Sequence, residues 1–323
     1  MSSLKDLKLA IVCPCFNEEE LLASSVYSLY EFLDILIEKK MCSDGSFIVL
    51  VDDGSEDSTW DKIKLAAAKH PTKIRGIKLA FNSGHQNAIM AGMTYVAGYC
   101  DAVVTMDIDL QDDLNAIPVM LEKHASGAEI ILGVKLSRTG DSIFKKATAR
   151  IYYKLMQYMG VDLIPNHADF RLLSRQALNN LMQYQEKALF LRGLQPLIHK
   201  NIATVHYHIS NRMTGVSKYT FSKMLSLAAD GITSFSIRPL RMIFYMGAGV
   251  FVISSMLAIF SIISYLQGNV LPGWASITVP IYVLGGIVML SIGVLGEYIA
   301  RIFTEVKNRP RFIIDKLTDL DTP

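Results

Sequence analysis

Ala102-Val103-Val104-Thr105-Met106-Asp107-Ile108-Asp109-Leu110-Gln111 reads as a buried strand that breaks into an acidic loop. Its first five residues are apolar or β-branched, the pattern of a strand covered on both faces. In the extended stretch that follows, residues two apart point the same way, so Asp107, Asp109 and Gln111 present oxygens toward one centre. Oxygen-only ligands suit Mg2+ or Mn2+, which bind through one or two carboxylates plus substrate phosphates. Alone, such a pair of aspartates is a weak motif, and an acidic loop capping the next helix is its plainer reading.

Upstream the same pattern repeats. β-rich runs at Leu9–Cys13, Phe47–Val51, Ile74–Leu79, Ala102–Met106 and Glu129–Leu132 are separated by helical stretches at Glu18–Lys40, Ser58–Lys69, Asn87–Tyr99 and Ile117–Ser126. Alternation at this spacing predicts an α/β fold, a mostly parallel sheet with helices on both faces. The first four strands each end in a polar segment: Pro14 to Glu20, Asp52-Asp53-Gly54-Ser55, Asn82-Ser83-Gly84-His85, and Asp107-Ile108-Asp109. Ligands of open α/β sheets bind outside the carboxyl ends of the strands, so these segments converge on one site. No G-x-G-x-x-G opens a helix after a strand and no G-x-x-x-x-G-K-[ST] occurs, which argues against a dinucleotide fold and a P-loop. Asp52 to Ser55 alone would serve as a turn with a helix cap. Together with the aspartates about 50 residues later, it reads as a place where a carboxylate accepts an N–H of a nucleobase.

The composition divides in two. Charged residues make up 19% and hydrophobic residues 51% of the 323, but from Met242 to Ala300 Glu297 is the sole charge. Met242–Leu266 and Ile277–Ala300 each exceed the roughly 20 residues that cross a ~30 Å hydrocarbon core. Buried core helices are the alternative, and those are rarely so long or so uncharged. Arg238 and Arg241 precede the pair, Arg301, Lys307, Arg309 and Arg311 follow it, and the link from Gln267 to Ser276 has no charge. The positive-inside rule then puts both flanks in the cytoplasm. The first apolar run is too short for a signal peptide and meets acidic residues at once, so the domain ahead of the spans is expected in the cytoplasm. Glu297 and Arg301, four apart, can share a helix face near the interface. The expected layout is a catalytic domain over 1–218, interfacial helices over 219–241, two spans within 242–303 (about 242–266 and 277–300), and a cytoplasmic tail over 304–323.

A net charge of +2 gives no case for a nucleic-acid partner. Cys13, Cys15, Cys42 and Cys100 lie in or near apolar runs without a C-x-x-C pair and read as reduced thiols. From Phe144, the residues Ala147, Ile151, Leu155 and Tyr158 share one helical face, and Lys146, Arg150 and Lys154 form the neighbouring stripe. An ordinary surface helix has this pattern; so does a basic helix lying on anionic lipid.

Cys13-Pro14-Cys15-Phe16-Asn17-Glu18-Glu19, Val51-Asp52-Asp53-Gly54-Ser55 and Asp107-Ile108-Asp109-Leu110-Gln111 resemble the family 2 glycosyltransferases with a GT-A fold. Phe81-Asn82-Ser83-Gly84-His85-Gln86, Ala168-Asp169-Phe170-Arg171-Leu172-Leu173, Phe190-Leu191-Arg192-Gly193-Leu194, Arg212-Met213-Thr214-Gly215-Val216-Ser217-Lys218-Tyr219, Ser234 to Arg241 and Asn308-Arg309-Pro310-Arg311 resemble the polyprenyl-phosphate branch. Bactoprenol glucosyltransferases are the nearest group, with dolichol-phosphate mannose synthases related. Ala168, preceded by His167, stands where relatives often carry glycine. The resemblance implies Pro14, Asn17, Glu18, Asp52, Asp53, Asn82, His85, Asp107 and Lys218 around a nucleotide sugar. It implies Asp107, Asp109 and Gln111 on Mg2+ or Mn2+, and Asp109, Asp169 and Arg212 as catalytic. Lys135, Arg138, Lys146 and Arg150 are assigned to the acceptor phosphate.

The implied reaction is inverting transfer of a sugar, glucose from UDP-glucose by resemblance, to polyprenyl (undecaprenyl) phosphate, for cell-envelope work such as O-antigen or lipopolysaccharide modification. The expected location is the inner (plasma) membrane, multi-pass, with self-association left open. Mannose, galactose or aminoarabinose transfer, a polysaccharide synthase and an inactive membrane scaffold are the alternatives.

Overall fold

The computed structural model describes residues 4–136, 154, 157–159, 167–187, 191–208, 236, 238–267 and 273–318. Strand β1 (Leu9–Cys15) is followed by helix α1 (Glu19–Glu38), β2 (Phe47–Asp52), α2 (Thr59–Lys69), β3 (Ile74–Leu79), α3 (His85–Val96), β4 (Ala102–Thr105), α4 (Ala116–Ala125) and β5 (Ile130–Lys135). These match the runs expected from sequence to within a few residues. Three further strands had no sequence assignment: β6 (His167–Ser174), β7 (Ile202–Tyr207) and β8 (Ile314–Leu317). Helices α5 (Arg175–Met182) and α6 (Leu191–Ile198) lie between β6 and β7, and α7 (Arg238–Leu266) and α8 (Trp274–Lys307) between β7 and β8.

The eight strands of the described residues form one sheet in the order β7-β5-β6-β4-β1-β2-β3-β8. β1 pairs in parallel with β2 and β4, and β2 with β3, while β6 runs antiparallel between β4 and β5. Along β1, Leu9, Ile11 and Cys13 join a core built with α1, α2 and α4, and Ala10 and Val12 join one built with α3, α5 and α6. Both faces are therefore covered, which is why these strands read as continuous apolar runs. On α1, Leu22, Val26, Leu29, Leu33 and Leu36 recur at four- and three-residue steps and are all buried. Each such side chain contributes roughly 1.5–3 kcal/mol of transfer free energy. Gly92 lets α3 lie close on the sheet, since a Cβ there would sit 2.3 Å from Val12 Cγ1.

α7 and α8 are long and apolar enough to cross a membrane: the window Arg238–Leu257 has a mean hydropathy of 1.7 and Val283–Lys307 of 1.9, with none of either buried. The two helices start earlier, and the second ends later, than the spans expected from sequence, so their ends include Arg238, Arg241, Arg301 and Lys307. Beyond α8 the chain returns to the sheet. β8 pairs antiparallel with β3, the Ala80 amide donates to Ile313 O at 2.9 Å, and Gly76 exchanges hydrogen bonds with Thr318 at 2.8 and 3.0 Å. Residues 304–323, expected as a plain tail, thus include an edge strand of the catalytic sheet. The interfacial segment over 219–235 and most of the basic helix from Phe144 lie outside the described residues.

Candidate active site

The carboxyl ends of β1, β2, β3 and β4 share one edge of the sheet. The turns after β1 and β2 clasp each other: Asn17 N donates to Ser55 Oγ (3.0 Å), Glu56 N to Asn17 Oδ1 (3.0 Å) and Glu18 N to Thr59 Oγ1 (2.9 Å). Asn17 takes a left-handed φ of 53° to do so, a conformation asparagine tolerates. Pro14 is buried within β1. Asp52, placed around the nucleotide by the sequence reading, is fully enclosed; its Oδ1 accepts the Ser55 amide at 3.0 Å, and among the described residues its Oδ2 has no hydrogen-bond partner.

Asp53 reaches across to the next loop. Its Oδ1 accepts the Ser83 amide at 2.7 Å and its Oδ2 the Gly84 amide at 3.0 Å. Burial raises its carboxyl above the ordinary value, opposed by those two amides and by His85 and assisted by Asp52. A carboxylate offers about four acceptor positions, so Asp53 retains capacity for a ligand N–H. Gly54 makes the approach possible: at φ +71°, a Cβ there would lie 2.6 Å from Phe81 C and 2.7 Å from Asn82 N. Asn82 is exposed, and its Oδ1 also accepts the Gly84 amide, at 3.1 Å.

His85 opens α3 and faces two carboxylates, with Nε2 3.4 Å from Asp169 Oδ2 and 3.6 Å from Asp107 Oδ1. Burial alone would lower the imidazole pKa, but the hydrogen bond to Asp169 and the charges of Asp107 and Asp169 hold it above its ordinary value. Asp169 arrives from the antiparallel strand β6, whose register sets Arg171 opposite Thr105. Its carbonyl accepts Thr105 Oγ1 at 2.6 Å, and its Oδ1 lies 2.5 Å from Arg171 Nη2. Arg171 is only 2% exposed and Asp169 14%. Burial and the nearby charges of Asp112, Asp169 and Asp109 push Asp107 up to about 6, against the pull of His85.

The loop after β4 turns at Leu110, whose φ is +50°. That turn folds Gln111 back onto Asp109: the Gln111 amide donates to Asp109 Oδ1 at 3.2 Å, and Gln111 Nε2 donates to Asp109 Oδ2. Among the described residues no group of three His, Cys, Asp or Glu side chains converges as a ready-made metal cage. The donors at hand are hard oxygens from Asp107, Asp109 and Gln111. Such a set fits a cation that binds through one or two carboxylates and completes its shell with substrate phosphates and water. It does not fit the closed nitrogen–sulfur tetrahedron of structural zinc.

Lys135 ends β5 on the far side of β6, and its Nζ lies 3.1 Å from Asp112 Oδ1 rather than standing alone. Arg138, Lys146, Arg150, Arg212 and Lys218 lie outside the described residues. Glu18 is partly buried at the start of α1. The structure thus brings Asp53, His85, Asp107, Asp109, Gln111 and Asp169 to one edge. Sequence reasoning gave no role to Arg171, Asp112 or Tyr207. Arg171 was signalled by lying two residues after Asp169 on one strand face; Tyr207 belongs to a strand that the pattern did not disclose.

An open α/β sheet with acidic loops at a topological switch point, between β1 and β4, defines a nucleotide-type binding edge. The family model for glycosyl transferase family 2 matches residues 10–182, and the chain belongs to that family. It is a glycosyltransferase with a GT-A catalytic domain followed by two apolar helices. It is 44% identical to the uncharacterized glycosyltransferase YkoT of Bacillus subtilis, over 95% of this chain and 91% of that one. To the SfII prophage-derived bactoprenol glucosyl transferase of Shigella flexneri it is 37% identical, over 96% of this chain and 98% of that one. Among solved structures, the mannosyltransferase PcManGT of Pyrobaculum calidifontis, in complex with GDP-Man and Mn2+, aligns over 94% of this chain and 87% of its own, at 15% identity and a TM-score of 0.47.

Proposed function

We propose that this glycosyltransferase transfers glucose from UDP-glucose to a polyprenyl phosphate, undecaprenyl phosphate in a bacterial setting, with inversion at the anomeric carbon. The observation that carries the reading is the return of the chain, after two exposed apolar helices, to the same sheet that bears the acidic edge. A catalytic domain tied in this way to membrane-spanning helices suits an acceptor whose tail lies in the bilayer. The name of the S. flexneri relative supports bactoprenol as that tail and glucose as the sugar. The basic residues flanking α7 and α8 support a cytoplasmic catalytic domain on the inner (plasma) membrane.

A phosphate monoester is anionic near neutral pH and needs no strong base. Its oxygen attacks the anomeric carbon from the side opposite the leaving group. The bond from that carbon to the diphosphate oxygen breaks, and the nucleoside diphosphate leaves with the bonding pair. An α-linked donor then gives a β-linked lipid phosphate sugar. Asp53 contacts the nucleobase, and Asp107 lies by the ribose. Asp109, Gln111 and Asp107 would hold a divalent ion, Mg2+ or Mn2+, and such an ion would supply positive charge to offset that on the diphosphate. Asp169, fixed by Arg171 and His85, orients the sugar or the acceptor phosphate, so that catalysis rests on in-line positioning. Arg212 and Lys218, outside the described residues, are assigned to the diphosphate by the family resemblance.

The test is purified protein in lipid nanodiscs with undecaprenyl phosphate and UDP-glucose, UDP-galactose or GDP-mannose. A β-linked lipid phosphate glucose, formed only with UDP-glucose, is expected. Absence of any lipid-linked sugar, or an α-linked product, overturns the reading.

A further inference from the structure

One buried carboxylate outside the assigned residues gathers three elements. Asp112 follows Gln111 directly and is 3% exposed. Its Oδ1 accepts the Tyr207 hydroxyl at 2.5 Å and lies 3.1 Å from Lys135 Nζ. Lys135 is the last residue of β5 and Tyr207 the last of β7, and the two are register partners in the parallel pair. Burial and the charge of Asp112 keep the Tyr207 phenol protonated, so it serves as donor. Phe170, the neighbour of Asp169, stands edge-on to the Tyr207 ring, with centroids 5.3 Å apart at 90°. Gly133 leaves room for that pair, since a Cβ there would lie 2.8 Å from Phe170 Cδ1 and 2.9 Å from Tyr207 Cε1.

Burying charge at such a point is a poor way to gain stability, because apolar side chains of similar volume commonly do as well or better. The lysine retains donors as well: an ammonium has three N–H groups, and 31% of this side chain is exposed. It emerges at the carboxyl end of β5, the side on which open α/β sheets take ligands. β5 lies beyond β6, away from the β2 end that carries Asp53.

We propose that Asp112 is a positioning residue that fastens Lys135 and Tyr207 to the Asp107–Gln111 loop and so aims the Lys135 ammonium at the acceptor phosphate. The proposal rests on transfer to a polyprenyl phosphate. It assigns the lysine to the acceptor because the donor loops cluster on β1 to β4 and Lys135 stands across β6 from them.

The experiment uses the full chain in nanodiscs, with undecaprenyl phosphate and UDP-glucose, and reads KM for each substrate, kcat and Tm. Asp112→Asn and Lys135→Gln are each expected to raise the lipid KM about tenfold, the effect of one lost charge-assisted contact. Nucleotide-sugar KM stays within about twofold, and Lys135→Arg recovers most of the loss. The double variant is no worse than the worse single one, since both remove one coupled unit. Tyr207→Phe, which deletes only the hydroxyl, shifts lipid KM in the same direction by less. A lower Tm with unchanged lipid KM, a rise confined to nucleotide KM, or additive losses in the double variant overturns the proposal. If Asp112→Asn does not fold, Lys135→Gln decides: an unchanged lipid KM refutes it. Failure of the unaltered protein to glycosylate the lipid overturns the functional reading, and the acceptor assignment falls with it.

Discussion

His85 Nε2 lies 3.4 Å from Asp169 Oδ2, joining the first turn of α3 to the start of β6. On its other side the same imidazole is 3.6 Å from Asp107 Oδ1, so one side chain separates two carboxylates that would otherwise repel. His85→Ala removes that separator without touching the core. We expect kcat to fall roughly 10- to 100-fold, the range for small misplacement of reacting groups. Circular dichroism and Tm should stay close to those of the unaltered protein. Normal kcat would show that Asp169 is held sufficiently by Arg171 alone.

Both carboxylate oxygens of Asp109 accept from Gln111, Oδ1 from its amide and Oδ2 from its Nε2. Excess chelator is expected to abolish transfer, with recovery on adding Mg2+ or Mn2+. Asp109→Asn should lower kcat by about 10²-fold or more, comparable to losing a transition-state charge contact. Full activity in chelator would exclude the metal role of this loop.

Gly54 and Gly84 both have positive φ, but their surroundings differ. A Cβ on Gly54 would strike the backbone of Phe81 and Asn82, whereas one on Gly84 meets nothing within 4 Å. Gly84→Ala should therefore cost about 1–3 kcal/mol from backbone strain alone, because φ 90° with ψ 150° is a region nearly confined to glycine. Gly54→Ala should cost about 2 kcal/mol or more and weaken nucleotide binding, because the loop that Asp53 holds is pushed away. Unchanged nucleotide affinity in Gly54→Ala would contradict the close approach of the two loops.

β8 closes the free edge of β3 after the second apolar helix. Deleting residues 312–323 should lower Tm by about 5 °C or more, as loss of an edge strand and its contacts implies. The same pairing requires the two ends of the helix pair to lie on one side of the membrane. Reporters fused at each terminus should thus be protected or exposed together in sealed vesicles. Opposite accessibility would mean that β8 does not join this sheet in the cell.

The alternation from Leu9 to Leu132 was legible because parallel strands buried on both faces carry a local signal: four to seven apolar residues, a polar turn, then an amphipathic helix. The same holds for the two long apolar helices, whose runs of more than 20 apolar residues mark them in the sequence as long enough to cross a membrane. The acidic segments were legible as types at strand ends. Sequence did not disclose which of their atoms meet, since that depends on registers such as Thr105 opposite Arg171 and Lys135 opposite Tyr207. β6, β7 and β8 escaped the pattern because their partners lie far along the chain and their mixed composition resembles surface segments. Only the assembled sheet sets Asp169 against His85 and seals Asp112 beneath Lys135 and Tyr207. Only it turns the expected tail into an edge strand. Hydrophobic periodicity is a property of neighbours in sequence, whereas the pairing of buried charges is settled by which strands the whole chain brings side by side.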